Sequence, residues 1–262
     1  MKTRNDENEC FDINDWNDYA HCYDALSELI PYQNLQRDVV RLLRPQTGDV
    51  ILDAGCGTGN LIQELRKSYS PRSISVTAID FSSDMLAYAR KKKNSGGVRF
   101  ALADLNAPLP FRDETFDKIA CVNTLYALSN PRNTLAELKR ILKTGGVIVV
   151  ATPKLGFENG LILKEHSRSE KPDEYWLNAH AHPERERALI REAFGDTPLA
   201  KKMTAVAKHN RAIGAHASFH FYTIDGLTEV FQSAGLRPTR AGMTYANQAL
   251  ILTAEKQKGG PA

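Results

Sequence analysis

Apolar residues recur at largely helical spacing between about Asp12 and Leu43, at Tyr19, Tyr23, Leu26, Leu29, Ile30, Leu35, Val39 and Leu42. The spacing predicts two helices broken near Pro31. After the turn from Pro45 to Gly48 comes a short apolar run, Val50 to Leu52, that stops at a glycine cluster, as a buried parallel strand does. The pattern then repeats. Helical signal covers Leu61 to Lys67, Ile74 to Ile79 reads as a strand, and Ser82 and Asp84 make a capped start for a helix to about Lys92. Val98 to Ala103 and Phe116 to Val122 are strands three and four. A helix starts at Asn130-Pro131, carries Lys139, Arg140 and Lys143 in its last turn and stops at Gly145-Gly146, before a fifth strand from Val147 to Ala151. Strands and helices alternating at this spacing imply right-handed crossovers and a doubly wound α/β sheet.

The alternation lapses between Thr152 and Tyr222, a charged and mostly helical stretch. It resumes with a helix over Asp225 to Ala234 and two strand-like runs, Leu236 to Tyr245 and Gln248 to Ala254, joined too tightly for a helical crossover. That pair should be antiparallel. The expected organisation is a disordered start (1–11), N-terminal helices with a ligand-binding core (12–152), a helical insert or lid (153–222), a closing helix and strand pair (223–257) and a disordered tail (258–262).

Composition narrows the classes. In 262 residues, 34 Lys and Arg stand against 31 Asp and Glu, so a formal charge of +3 gives no bulk attraction for nucleic acid or membrane. Cys10, Cys22, Cys56 and Cys121 include no C-x-x-C pair, which argues against a zinc site or disulfide framework and fits a cytoplasmic protein with no metal. No apolar stretch reaches the roughly 18 residues of a membrane span. The basic run Lys201 to Arg211 carries Met203, Val206 and, just beyond, Ile213, and reads as a solvated lid helix, with an amphipathic lipid-touching helix as the alternative.

The chemistry concentrates in Ile51-Leu52-Asp53-Ala54-Gly55-Cys56-Gly57-Thr58-Gly59-Asn60, where a strand ends in an acid and three glycines alternate before a helix. Such a turn lets a ligand lie against bare backbone at a helix N-terminus. A phosphate loop of the form G-x-x-x-x-G-K-[ST] is absent, and Asn60 stands where a dinucleotide site prefers its last glycine. Asp80 ends the second strand, where it can accept both hydroxyls of a ribose, although a nicotinamide dinucleotide site also places an acid there. Asp104, after the third strand in Ala103-Asp104-Leu105, can accept from an adenine amino group, with Phe81 and Met85 placed to sandwich the ring.

The set of Asp-x-Gly-x-Gly-x-Gly, Ala78-Ile79-Asp80-Phe81-Ser82, Ala103-Asp104, Phe116-Asp117 and Leu142-Lys143-Thr144-Gly145-Gly146 resembles the class I S-adenosylmethionine (SAM) dependent methyltransferases over roughly residues 12 to 152. With Tyr23-Asp24 in the N-terminal helix, the chain resembles their ubiquinone/menaquinone-biosynthesis-like branch, which acts on small molecules. The resemblance implies a Rossmann-like seven-stranded sheet, mostly parallel with a reversed last strand, and SAM as methyl donor with S-adenosylhomocysteine as its product. By the same resemblance Gly55, Gly57 and Gly59 line the methionine moiety, Asp53 orients the loop or meets the ammonium, Asp80 holds the ribose and Asp104 the adenine. Asn123 sits near the reacting methyl.

The acceptor is less legible. Tyr23, Tyr126 and Trp176 are candidates to line its pocket, with helix packing the alternative for Tyr23. Where the acceptor must lose a proton, His180, His182 and His216 in the insert are candidate bases, beside His166 and His220. A small-molecule acceptor is expected. An RNA or protein methyltransferase is a rival, but Asn123-Thr124-Leu125-Tyr126 lacks the N-P-P-Y tetrad used on base amines. A SAM-binding regulator without turnover is the other.

Overall fold

A computed structural model describes residues 13–179, 182–215 and 219–257. Helix α1 (Ile13–Tyr23) leads through a tight 3-10 turn (Asp24–Glu28) into α2 (Ile30–Leu43). The break falls at Leu29, which is extended, and Pro31 sits in the first turn of α2. A proline costs nothing there, because the amide it lacks has no partner in a first helical turn.

The sheet is built from β1 (Val50–Ala54), β2 (Ser75–Asp80), β3 (Val98–Leu102), β4 (Phe116–Val122), β5 (Leu142–Pro153), β6 (Arg237–Thr244) and β7 (Ala249–Glu255). Its order is β3-β2-β1-β4-β5-β7-β6, with β7 antiparallel to both neighbours and all other pairs parallel. The Rossmann-like seven-stranded architecture is therefore present. Helices α3 (Asn60–Ser68), α4 (Ser83–Lys91), α5 (Pro131–Ile141) and α10 (Ile224–Ser233) cover the sheet, and α6 (Asn159–Ser167), α7 (Asp173–Trp176), α8 (Pro183–Phe194) and α9 (Pro198–Ala215) lie between β5 and α10. One apolar core lies on each face of the sheet. The first joins α2, α3 and the α6 to α9 helices to the strands, and the second lies under α5 and α10.

The fifth strand starts earlier than the apolar run suggests. Phe116 pairs with Leu142, the register then shifts, and Lys118 pairs with Val147. Gly145 (φ 78°) and Gly146 occupy that irregularity within the strand and do not end the preceding helix, which stops at Ile141. Gly146 is required by closeness: a Cβ there would stand 2.7 Å from the Lys143 carbonyl and 2.9 Å from that of Asp117. Asp117 itself is structural, accepting from the Val50 amide at 2.9 Å and pairing with Lys143 at 2.8 Å.

Helix α9 buries Met203, Val206, Ala207 and Ile213 and leaves Lys201, Lys202 and Lys208 exposed. Its apolar face is spent against α1 and α8, so it offers no free face to a lipid surface. None of the described helices is long and apolar enough to cross a membrane.

Candidate functional site

The order β3-β2-β1-β4 makes β1 and β4, which run parallel, the point where the order of strand addition switches sides, and crevices form at the carboxyl ends of strands at such a point. A cavity of about 1050 Å³, counted to its open mouth, lies there. The glycine loop forms its floor. The amides of Gly55 and Cys56 both donate to the Ile79 carbonyl at 2.9 Å, tying the loop to the end of β2. Gly55 has φ 74°, and a Cβ on it would stand 2.3 Å from Thr124 Oγ1, so both conformation and packing demand glycine. Gly57 donates its amide to Asp80 Oδ2 at 2.8 Å, and Gly59 caps α3.

The carboxylates take different environments. Asp80 is buried, and its Oδ1 accepts from the Ser82 amide at 2.9 Å, so it pins the loop while retaining lone pairs toward the cavity. Burial pushes its carboxyl up to about 6, against the lowering effect of the backbone amides it accepts from. Asp53 is 1% exposed, and its Oδ2 has no hydrogen-bond partner among the described residues. Burial, then the nearby Asp80, pushes Asp53 up to about 7. Asp104 is exposed at the rim and commits Oδ1 to the backbone amide (2.8 Å) and side chain (3.0 Å) of Asn106. Phe81, 39% exposed, and the buried Met85 and Leu105 give the same part of the wall its apolar surface.

The N-terminal helices close the other side, where Trp16, Tyr23, Tyr32 and Gln36 line the cavity. Asp24 fastens them, accepting from Thr58 Oγ1 at 2.5 Å and from Lys92 Nζ at 2.7 Å, while Lys92 also reaches Asn60 Oδ1 at 2.6 Å. Ser82 caps α4 by accepting from the Met85 amide and donates its hydroxyl to Asn17 Oδ1 at 2.6 Å. Periodicity of apolar residues marks these helices as packed but carries no sign of Trp16, Tyr32 or Gln36 as cavity walls.

A second cavity, about 520 Å³, adjoins the first, and Tyr23 and Asn123 line both. Asn123 has φ 51°, and its buried Oδ1 has no partner among the described residues. Tyr19, Tyr126, Phe157, Ile162 and Tyr245 supply most of the remaining wall, with Asn159, Asn210 and Gln248 as polar points. Its lining residues include no charged side chain and no histidine. Burial raises the hydroxyls of Tyr19, Tyr23, Tyr126 and Tyr245, so these remain neutral phenols.

Two sequence-derived acceptor and base candidates land elsewhere. Trp176 is fully buried where α7 packs on Gly160 of α6, and it lines none of these cavities, because its bulk serves as core between two short helices. His182 is exposed at the N-terminal cap of α8, away from both cavities. His180 and His216 lie outside the described residues. Of the other histidines, His166 accepts from the Ile30 amide through Nδ1 and stacks on Phe194, and His209 stacks on Tyr19; burial lowers both. Tyr245 is a wall residue with no sequence signal beyond the end of a strand. It opens a turn in which Tyr245, Ala246 and Asn247 all have positive φ.

The first cavity fits a SAM-like ligand by the chemistry of its donors. Asp53 Oδ2 and Asn123 Oδ1 are buried acceptors without partners, which a ligand bearing an ammonium and a sulfonium would complement. Three carboxylates line the cavity and no Lys, Arg or His does, so a dinucleotide's phosphates would meet like charge. Among the described residues no group of three or more His, Cys, Asp or Glu is arranged to hold a metal ion.

Comparison with known proteins agrees with this geometry. The methyltransferase domain family matches residues 45–235. The ubiquinone/menaquinone biosynthesis C-methyltransferase UbiE of Geobacter sulfurreducens is 30% identical over 149 residues, which are 53% of this chain and 57% of that protein. The malonyl-[acyl-carrier protein] O-methyltransferase of Pectobacterium atrosepticum is 37% identical over 136 residues, 51% of this chain and 49% of that protein. The matches thus span about half the length of each curated relative. Among solved structures, the methyltransferase in complex with the Trm112 activator of Haloferax volcanii superposes with a TM-score of 0.64 at 17% identity, over 95% of this chain and 99% of that one. That likeness speaks to the fold.

Proposed function

The chain belongs to the methyltransferase domain family, with the class I SAM-dependent fold, and from that premise we propose that it transfers a methyl group from SAM to a small, neutral, largely apolar acceptor held in the second cavity. The observation that carries the donor half is the first cavity's lining of Asp53, Asp80 and Asp104 without a basic side chain. For the acceptor half it is the uncharged, tyrosine-rich wall.

SAM supplies a methyl group on a positively charged sulfur that becomes neutral as the methyl leaves. Asp53 holds the ammonium, Asp80 the ribose diol and Asp104 the adenine amino group, with Phe81, Met85 and Leu105 against the ring. Gly57 and its neighbours let the methionine part lie on the loop. Asn123 and Tyr23, common to both cavities, flank the junction where the methyl is passed. The main demands of such a displacement are alignment and exclusion of water, and the N-terminal helices and the α6 to α9 segment provide the walls for both. No residue lining the second cavity is a carboxylate, imidazole or amine, so the proposed mechanism uses no side-chain base there, and the proton that the acceptor exchanges for the methyl group passes to solvent water. Hydroxyls of the neutral tyrosines and the side chains of Asn159, Asn210 and Gln248 orient the acceptor by hydrogen bonds. Phenols and hydroquinones suit this wall, being planar, apolar in body and able to pair with amides. UbiE, by its name a quinone-pathway C-methyltransferase, supports that class.

The test is transfer of labelled methyl from SAM to a panel of neutral phenols and hydroquinones, with acidic metabolites and transfer RNA alongside. Label in neutral phenolic acceptors alone is the expected result. Label in RNA alone would reject the acceptor reading.

A further inference from the structure

Gln36 lies on α2, ahead of the residues 45–235 that the methyltransferase family matches, and nothing in the glycine motif points to it. It is nevertheless a wall of the donor cavity. The residue is 4% exposed, and its Oε1 is buried with no hydrogen-bond partner among the described residues. An amide oxygen in that position costs free energy until something donates to it. The side chain lies beside the Tyr32 hydroxyl, which accepts from Asn60 Nδ2 at 3.4 Å and donates toward Tyr23. The amide thus stands against the tyrosine cluster with its oxygen unmatched.

What could satisfy it follows from its neighbours. Gln36, Tyr32 and Asn60 line the part of the cavity formed by α2 and the start of α3, and Asp53 Oδ2 and Asn123 Oδ1 are orphaned buried acceptors on the strand side. Buried acceptors left without a donor on one cavity wall suit a group rich in N–H bonds. The adenine and ribose are assigned to the ends of β2 and β3, which leaves the amino-acid end for this region. We propose that Gln36 is a binding residue for the α-ammonium of the methyl donor, working with Asp53, so that α2 reads the amino-acid end of SAM. The assignment rests on the donor reading given above. It makes the N-terminal helices part of donor recognition as well as a cover.

The test compares two ligands that differ in this end alone. S-adenosylhomocysteine carries the amino-acid group, and 5′-methylthioadenosine keeps the nucleoside and sulfur without it. Gln36→Met keeps the side chain's length and removes the amide. Titration of both ligands into the wild type and the variant should show S-adenosylhomocysteine weakened about tenfold or more, as for a hydrogen bond to a charged group, with 5′-methylthioadenosine unchanged. Retained 5′-methylthioadenosine binding certifies the variant's fold. The variant's thermal midpoint without ligand should equal or exceed the wild type's, because an apolar group replaces an orphaned acceptor. Equal affinity for S-adenosylhomocysteine in the two proteins would overturn the Gln36 assignment and leave the donor reading standing. A parallel loss of both ligands with a lowered midpoint would also overturn it, making Gln36 a packing residue. Wild-type protein that binds neither ligand would overturn both readings.

Discussion

Asp53→Asn should make the ligand-free protein more stable while it loses the methyl donor. The carboxyl of Asp53 is buried at the end of β1, beside Asp80, with Oδ2 unpartnered, and is held at about 7 against an ordinary 3.8. Between those values the folded chain keeps a proton that the unfolded chain has released. Folding stability is therefore full at low pH, falls as pH rises through this window and levels off above about 7. The shift is about three units, which at 1.36 kcal/mol per unit is roughly 4 kcal/mol of stability forgone at alkaline pH. Asp80, pushed up to about 6 beside it, shares the window, and the two titrate as a pair. An asparagine has the same shape without the charge. Urea unfolding of both proteins at about pH 5 and about pH 8.5 should show the variant ahead by roughly 2 kcal/mol at the lower pH, which already lies inside the window, and by roughly 4 kcal/mol at the higher. Isothermal titration at the higher pH should show SAM binding lost or greatly weakened, because the ammonium no longer meets a negative charge. A variant less stable than wild type at both pH values, or one with the wild type's pH dependence, would contradict a raised, unpartnered carboxyl at Asp53.

Asp80→Ala removes a proposed ribose acceptor together with the anchor for the Gly57 and Ser82 amides, so SAM should bind more weakly by about 1.5 to 3 kcal/mol; unchanged affinity in calorimetry would reject the ribose assignment. Gly55→Ala should lower the melting temperature and abolish donor binding, and Thr124→Gly in the same chain should recover part of the stability by removing the side chain that a Cβ at Gly55 would strike. Full recovery in that double variant would show that the positive φ at Gly55 costs nothing. His182→Ala should leave turnover unchanged, since the side chain is exposed and away from both cavities, and a large fall in kcat with retained SAM affinity would reinstate it as a base. Tyr126→Leu should raise the acceptor KM while SAM affinity holds, as Tyr126 lines the second cavity and not the first; an equal loss of SAM affinity would contradict the division into two cavities.

Much of the scaffold could be read in the chain because its signals are local. Val50 to Leu52 and Phe116 to Val122 are apolar runs between turn residues, and Ser82 and Asn130 act as the caps their positions suggest, each accepting an amide three residues on. The reversed β7 follows from a link too short for a crossover. Errors of extent came where one residue type serves two purposes. Gly145-Gly146 looks like a helix stop, yet it lets β5 pass close to β4, and Pro31 looks like a break while opening α2. The second cavity was harder to read because its wall comes from separate segments. Tyr19, Tyr126, Phe157 and Tyr245 meet only in the fold, and each alone resembles ordinary packing. Trp176 shows the converse, a large aromatic in a promising segment that the fold uses as core. The orphaned oxygens of Gln36, Asp53 and Asn123 cannot be seen in a sequence at all, since a missing partner is a property of the packed state.

Titration calorimetry with SAM, S-adenosylhomocysteine and NADH decides whether the cavity at the ends of β1, β2 and β4 is a SAM site. Micromolar binding of the first two is expected and none of NADH, whose phosphates would face three carboxylates and no cation. A folded sample that binds NADH, or that binds neither SAM nor S-adenosylhomocysteine, would contradict a SAM site there.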